Sequence, residues 1–184
     1  MSERMLTLPY LQEMQGYALV PGMVNFFELN PDRLIIFDWI QANIQQVNHQ
    51  LQQYLYACHA CFNPDEQPAL QIFGVPLSPY FGVDAFCNFS SQPMTILIDV
   101  GRVEPHLWLG LVAHEYAHAK VGLPGHDRAF AEVLNHLCLG LGLPCPGTTE
   151  AQLKHYPGGA AVIDAIAFWR GSPGYSQSTL AISN

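Results

Sequence analysis

Residues 114–118 read His-Glu-Tyr-Ala-His, and this pentapeptide constrains the chain more than any other feature. On a helix, positions i and i+4 share a face. The imidazoles of His114 and His118 can therefore reach one metal ion, with the Glu115 carboxylate beside it. That layout suits a zinc-dependent hydrolase in which the glutamate is general base toward a metal-bound water. The flanking sequence favours the helix. Pro105 suits a first turn, where its missing N–H would be an orphan in any case. Leu107, Leu111, His114, His118 and Val121 recur at spacings of four, three, four and three, which is one helical face. Gly122 and Pro124 then end it. A lone histidine on such a face reads as a core residue. Two at this spacing, with the intervening glutamate, read as a metal site.

A catalytic zinc takes three protein ligands and keeps one position open. The turn Gly122-Leu123-Pro124-Gly125 reverses the chain and can bring His126 back to the metal, with seven residues between it and His118. Glu132, Asp127 and Glu150 are the alternative third donors. The run H-E-Y-A-H…G-H-D-R-A-F resembles zincin metallopeptidases of the SprT-like kind, over about residues 94–142. The resemblance implies one zinc ion held by His114, His118 and His126, with Glu115 as general base. It also matches Phe130 to the aromatic residue four positions beyond the third histidine. Asp127 stands where glycine is common in that family, and the loop before His126 is short. The spacing is two residues longer than the metzincin pattern, and no methionine follows Met94 to form a methionine turn.

The resemblance further implies cleavage of peptide or protein substrates, with a strand in the region of residues 94–100 forming the rim of the cleft and pairing with extended substrate. A second electrophile would help hold the developing oxyanion. Tyr156, in the loop His155-Tyr156-Pro157-Gly158-Gly159, is the first candidate, followed by His155 and Arg128. Two alternatives remain: a zinc hydrolase of a non-peptide substrate, and a non-catalytic zinc scaffold. A deformylase would need a Gly-Cys-Leu context, whereas Cys87 lies in Phe-Cys-Asn. Glu115 argues against a purely structural site, which gains little from a general base.

Composition sets the remaining bounds. The 184 residues are 49% hydrophobic, enough for one domain with a sizeable core. Residues 1–170 are expected to form it, with 171–184, rich in Ser, Gly and Thr, as a flexible tail. Net charge is −8 and the seven Lys and Arg form no basic stripe, so a phosphate backbone is not an expected partner. No apolar run reaches about 18 residues, and none follows Met1 as a secretory signal would require, so a cytoplasmic protein without a membrane span is expected. Five cysteines, an odd number, argue against a disulfide framework. The lone Cys58-x-x-Cys61 reads as structural burial at a helix end.

Along the chain, residues 1–29 read as irregular, with a short helix or strand. Asn30-Pro31-Asp32 reads as a helix start. Phe37, Ile40, Ile44, Val47, Leu51, Tyr54 and Cys58 then form the apolar face of a helix of about seven turns, opposite a glutamine-rich face. Strands are predicted within 69–75, 81–89 and 94–100. Residues 127–141 read as a helix burying Phe130, Val133, Leu134, Leu137 and Leu141, and 160–170 as a short helix. The fold class is α+β: a zincin-like domain with a long N-terminal helix, a small mixed sheet, the H-E-x-x-H helix and a backing helix.

Overall fold

The helix announced by Asn30-Pro31-Asp32 dominates the architecture. In the computed structural model, which describes residues 7–25, 30–159, 162 and 164–172, it runs from Arg33 to His59 as α2. Its 27 residues span about 40 Å. The Asn30 side chain accepts a hydrogen bond from the Asp32 N–H at 2.8 Å and so shapes the turn that opens it. Ile36, Ile40, Ile44, Val47, Leu51, Leu55 and Cys58 are buried, at spacings of three and four. The stripe differs by one position at two places from the predicted one: Ile36 and Leu55 enter the core, while Phe37 and Tyr54 flank it.

The N-terminal segment forms a helix, α1 (Thr7–Tyr17), which buries Thr7, Leu11 and Met14. Its polar groups reach other elements. The Thr7 hydroxyl donates to Phe37 O at 3.0 Å, and the Tyr10 hydroxyl donates to Gly74 O at 2.6 Å. Tertiary contact, more than local pattern, makes this segment helical. Residues 1–6 and 26–29 lie outside the described residues, as does nearly all of the expected tail (173–184).

Three short strands, β1 (Leu70–Gly74), β2 (Ala85–Asn88) and β3 (Met94–Ile98), pack against α2 and the H-E-x-x-H helix α3 (Trp108–Val121). The sheet order is β1-β3-β2. β3 runs parallel to β1, with Leu70 opposite Met94, and antiparallel to β2, with Ala85 opposite Ile98. This corrects the expectation that the 94–100 strand forms a rim open to substrate. Both edges of β3 carry ladder hydrogen bonds, so it cannot accept another strand. The sequence carries the physical reason: Thr95 to Ile98 are all buried, and a strand covered on both faces belongs at the centre.

After α3 come α4 (Arg128–Leu141) and the short α5 (Glu150–Lys154). α4 begins on Asp127, whose side chain accepts from the Phe130 N–H at 3.0 Å, and buries Phe130, Leu134, Leu137 and Cys138. Val133 and Leu141 are only partly buried at its flanks. The chain is thus an α+β domain, with α3 packed between α2 and α4 and against β2. No helix among the described residues is long and apolar enough to cross a membrane.

The helix expected over 160–170 is absent from its described part, where residues 165–171 form turns instead. These turns bring two adjacent rings inward. Phe168 packs on Trp39 and Trp108, and Trp169 packs on Trp39 and donates its indole N–H to Asp99 at 2.6 Å. Asp99, fully buried just after β3, also accepts from Leu77 N–H, Gly101 N–H and Arg102 Nε. Burial pushes its carboxyl upward, and the hydrogen bonds from Trp169, Leu77 and Arg102 together with the Arg102 charge oppose the shift. This carboxylate joins the C-terminal turns to the loop that leads into α3. Asp99→Ala would leave four donors without their acceptor, one of them on a guanidinium. A loss of about 3 kcal/mol or more in unfolding free energy is expected, to be read from urea melts followed by tryptophan fluorescence.

Candidate metal centre

α3 carries the motif in a setting that is almost wholly buried: every residue from Gly110 to Ala119 is inside. His114, Glu115 and His118 are only 6%, 5% and 8% exposed. Gly122 ends the helix in the left-handed region (φ 75°), and its N–H donates to His118 O. The turn that follows returns His126 to the helix. The Nε2 atom of His114 lies 3.2 Å from Nε2 of His118 and 3.2 Å from Nε2 of His126. Ligand atoms of all three residues fall within 4.8 Å of one another.

These distances can be compared with what a metal requires. Nitrogen ligands at about 2.0–2.1 Å from a tetrahedral ion stand about 3.3 Å apart. The protonation states agree as well. Burial, and then the neighbouring imidazoles, push His114 down to about 3. Burial also lowers His118 and His126. All three are neutral at physiological pH, which is the ligating form. His118 Nδ1 donates to Leu123 O at 3.0 Å, which turns its lone pair, on Nε2, toward the other two rings. Lone pairs converging at such distances repel unless a proton or cation lies between them. His114, His118 and His126 are close enough to hold a metal ion, and among the described residues no other group of three His, Cys, Asp or Glu side chains is.

The supporting groups are equally specific. The Phe130 ring lies against all three imidazoles, with centroids 5.1 Å from His114, 4.4 Å from His118 and 4.8 Å from His126. It forms an apolar floor that fixes their tilt. On the far side of α3, Tyr116 stacks with Phe62, and its hydroxyl meets His59 Nδ1 at 3.0 Å. This anchors the helix from behind. His114 Nδ1 is the exception: it is buried and makes no hydrogen bond of good geometry, although the Tyr156 backbone acts on this ring as an acceptor and favours its proton.

Glu115 sits on the β2 side. Burial, reinforced by the charge of Asp84, raises its carboxyl to about 8, and it acts in turn on the Cys87 thiol of β2. The other donors named from the sequence are engaged elsewhere. Asp127 caps α4. Glu132 pairs with Arg128 at 2.8 Å on an exposed face. Glu150 opens α5, from which it raises the His126 pKa without joining the cluster. Among the groups considered for the oxyanion, the Tyr156 hydroxyl donates to Pro144 O at 3.0 Å and accepts from the Cys138 thiol at 3.2 Å. Arg128 is held by Glu132, and His155 stays exposed near His126. Cys58 lies in the core and Cys61 is half-buried, and neither belongs to a metal-binding group.

Sequence reasoning missed Asp84, the Leu123 carbonyl and the backbone role of Tyr156. Backbone acceptors carry no side-chain signature. For Tyr156 the available signal was Gly110, an unusual helix-interior glycine one turn before His114. No family model matches the chain, nor does any curated protein or solved structure.

The geometry predicts which substitutions strip the metal. After reconstitution with a divalent transition metal, His126→Ala should lose most of the ion bound by the wild type, by elemental analysis after desalting. Glu132→Ala and Glu150→Ala should keep it. A reversed pattern would move the third ligand.

Proposed function

We propose that the chain is a zinc metallopeptidase of the H-E-x-x-H type, resembling the SprT-like zincins. The observation that carries this reading is the convergence of three neutral imidazoles with a buried glutamate adjacent in sequence to the first of them. Three nitrogen ligands leave room for a fourth, which suits zinc in a catalytic coordination. Zinc held there would supply a Lewis acid that polarises a carbonyl and acidifies water toward neutral pH.

The chain's own residues would do the rest. Burial raises Glu115 to about 8; a cation held by the three imidazoles would lower it again, so that the carboxylate would accept a proton from the attacking water and deliver it to the leaving amine. Phe130 and the Leu123 carbonyl would keep His118 in the ligating tautomer and orientation. Extended substrate needs an open strand edge. β2 supports this role better than β3, because it is an edge strand of the described sheet, packs on α3 and lies on the Glu115 side. The hydroxyl of Tyr156 is already bonded twice, which leaves His155 as the residue on that loop able to turn toward a developing oxyanion.

The test is digestion of a peptide library by zinc-loaded protein, with a chelated sample and Glu115→Gln beside it. The glutamine variant should retain its zinc, since Glu115 is not a ligand, and lose activity by about 100-fold or more. Cleavage that survives both chelation and Glu115→Gln would point to a contaminant. A zinc-loaded wild type that cuts no peptide would leave a non-peptide substrate or a scaffold.

A further inference from the structure

The loop between α4 and the C-terminal turns supplies no ligand, yet residues 149–159 are seated against the metal-bearing side of α3. Gly110 stands one turn before His114 on the same helical face. A Cβ there would come within 2.7 Å of Pro157 Cβ and 3.5 Å of Tyr156 Cε1, so the missing side chain is the notch that receives this strap. A Cβ on Gly159 would come within 2.5 Å of Leu107 Cδ1, a second close fit against the start of the helix. The Tyr156 hydroxyl ties the strap to Pro144 and to Cys138 of α4. At its other end Glu150, Lys154 and His155 all act on His126. Between these anchorages the Tyr156 backbone faces His114, whose Nδ1 is buried without a hydrogen-bond partner of good geometry.

We infer that residues 149–159 are an outer clamp of the metal centre, in which Tyr156 is a positioning residue whose carbonyl receives the Nδ1–H of His114, so that metal binding and strap docking favour one another. The inference rests on reading His114, His118 and His126 as metal ligands. A metal on Nε2 obliges Nδ1 to carry the proton and strengthens it as a donor. A buried donor left unpaired is costly, so closing the Tyr156 carbonyl onto it is favoured most when the metal is present. Thermodynamic linkage then requires the converse: a docked strap raises metal affinity by the factor by which the metal favours docking.

Gly110→Ala separates this coupling from damage to the helix. Alanine is the better helix former and position 110 is not a ligand, yet the added methyl cannot share its space with Pro157. Zinc affinity of the full chain would be measured by competition with a chromophoric chelator for the wild type, Gly110→Ala and Tyr156→Phe. Hydrogen exchange of residues 144–159 would be followed with and without zinc. Gly110→Ala is expected to weaken zinc binding by about 10-fold or more. Zinc should slow exchange in the wild-type strap and do so much less in this variant. Tyr156→Phe, which keeps the carbonyl but frees the ring, should show a smaller loss in the same direction. Affinities unchanged in both variants, or a strap whose exchange ignores zinc, would overturn the clamp and leave the ligand assignment standing. A wild type that takes up no zinc would overturn both. Should Gly110→Ala fail to fold, Tyr156→Phe and the wild-type exchange measurement still decide the matter.

Discussion

Two imidazoles and a carboxylate buried on one helix are the constraint around which the rest of this molecule is arranged. Removing such groups from water is costly unless they are neutral, hydrogen-bonded or bound to a cation. α3 uses the first two devices visibly. Burial drives His114 and His118 to their neutral forms and raises Glu115, while Leu123 O satisfies His118. The remaining demand is structural: a helix buried along most of its length must be gripped on several sides. α2, α4 and β2 provide that grip, and the contacts of Tyr116 with Phe62 and His59 fix its rear face. With the rear fixed, the rotation of the helix about its axis is fixed too, and both histidines point one way.

The nine residues from Gly122 to Phe130 bring a third imidazole to the pair on α3. Gly122 takes the left-handed conformation that stops α3, and the chain turns back within four residues. His126 then stands directly before Asp127, and Asp127 caps α4 through the Phe130 N–H. One stretch of chain thus sets the third imidazole, the start of the next helix and the apolar floor under all three rings. The cap also explains the aspartate at this position. It stabilises the helix start that Phe130 depends on, typically by about 1 kcal/mol.

Much of this was legible in the sequence, and what was not has identifiable causes. Long periodic segments read correctly: α2 and α4 follow their apolar spacing, and the i, i+4 histidines declared a shared face, although α3 is buried on all sides from Gly110 to Ala119. The exact stripe of α2 did not, because Ile36 and Phe37, like Tyr54 and Leu55, are adjacent apolar pairs, and only the position of the sheet chooses between them. α1 lacks a strong apolar stripe and depends on Thr7 and Tyr10 reaching Phe37 O and Gly74 O, contacts that no local pattern encodes. The order of the strands was equally invisible to spacing, although the unbroken apolar run of β3 was the sign of a central strand. Residues 165–171 turn because Phe168 and Trp169 must both reach the core, and that requirement comes from Trp39 and Asp99, far away in sequence.

The two flanks of the three-histidine face are built differently. On the Glu115 side stands β2, hydrogen-bonded into the sheet along its length and therefore fixed with the core. On the His114 and His126 side lies the strap, held by the buried Leu153 and Tyr156 side chains, two close fits at glycines, one tyrosine hydroxyl and the electrostatic influence of three exposed side chains. Elements with few backbone hydrogen bonds to the rest of a fold open at low free-energy cost, while ladder-bonded strands open only with the domain. An adjustment of this face to a bound molecule or ion therefore falls on residues 149–159 and leaves β2 in place. Glu115, on the rigid flank, keeps its position while the loop that influences two of the three imidazoles moves.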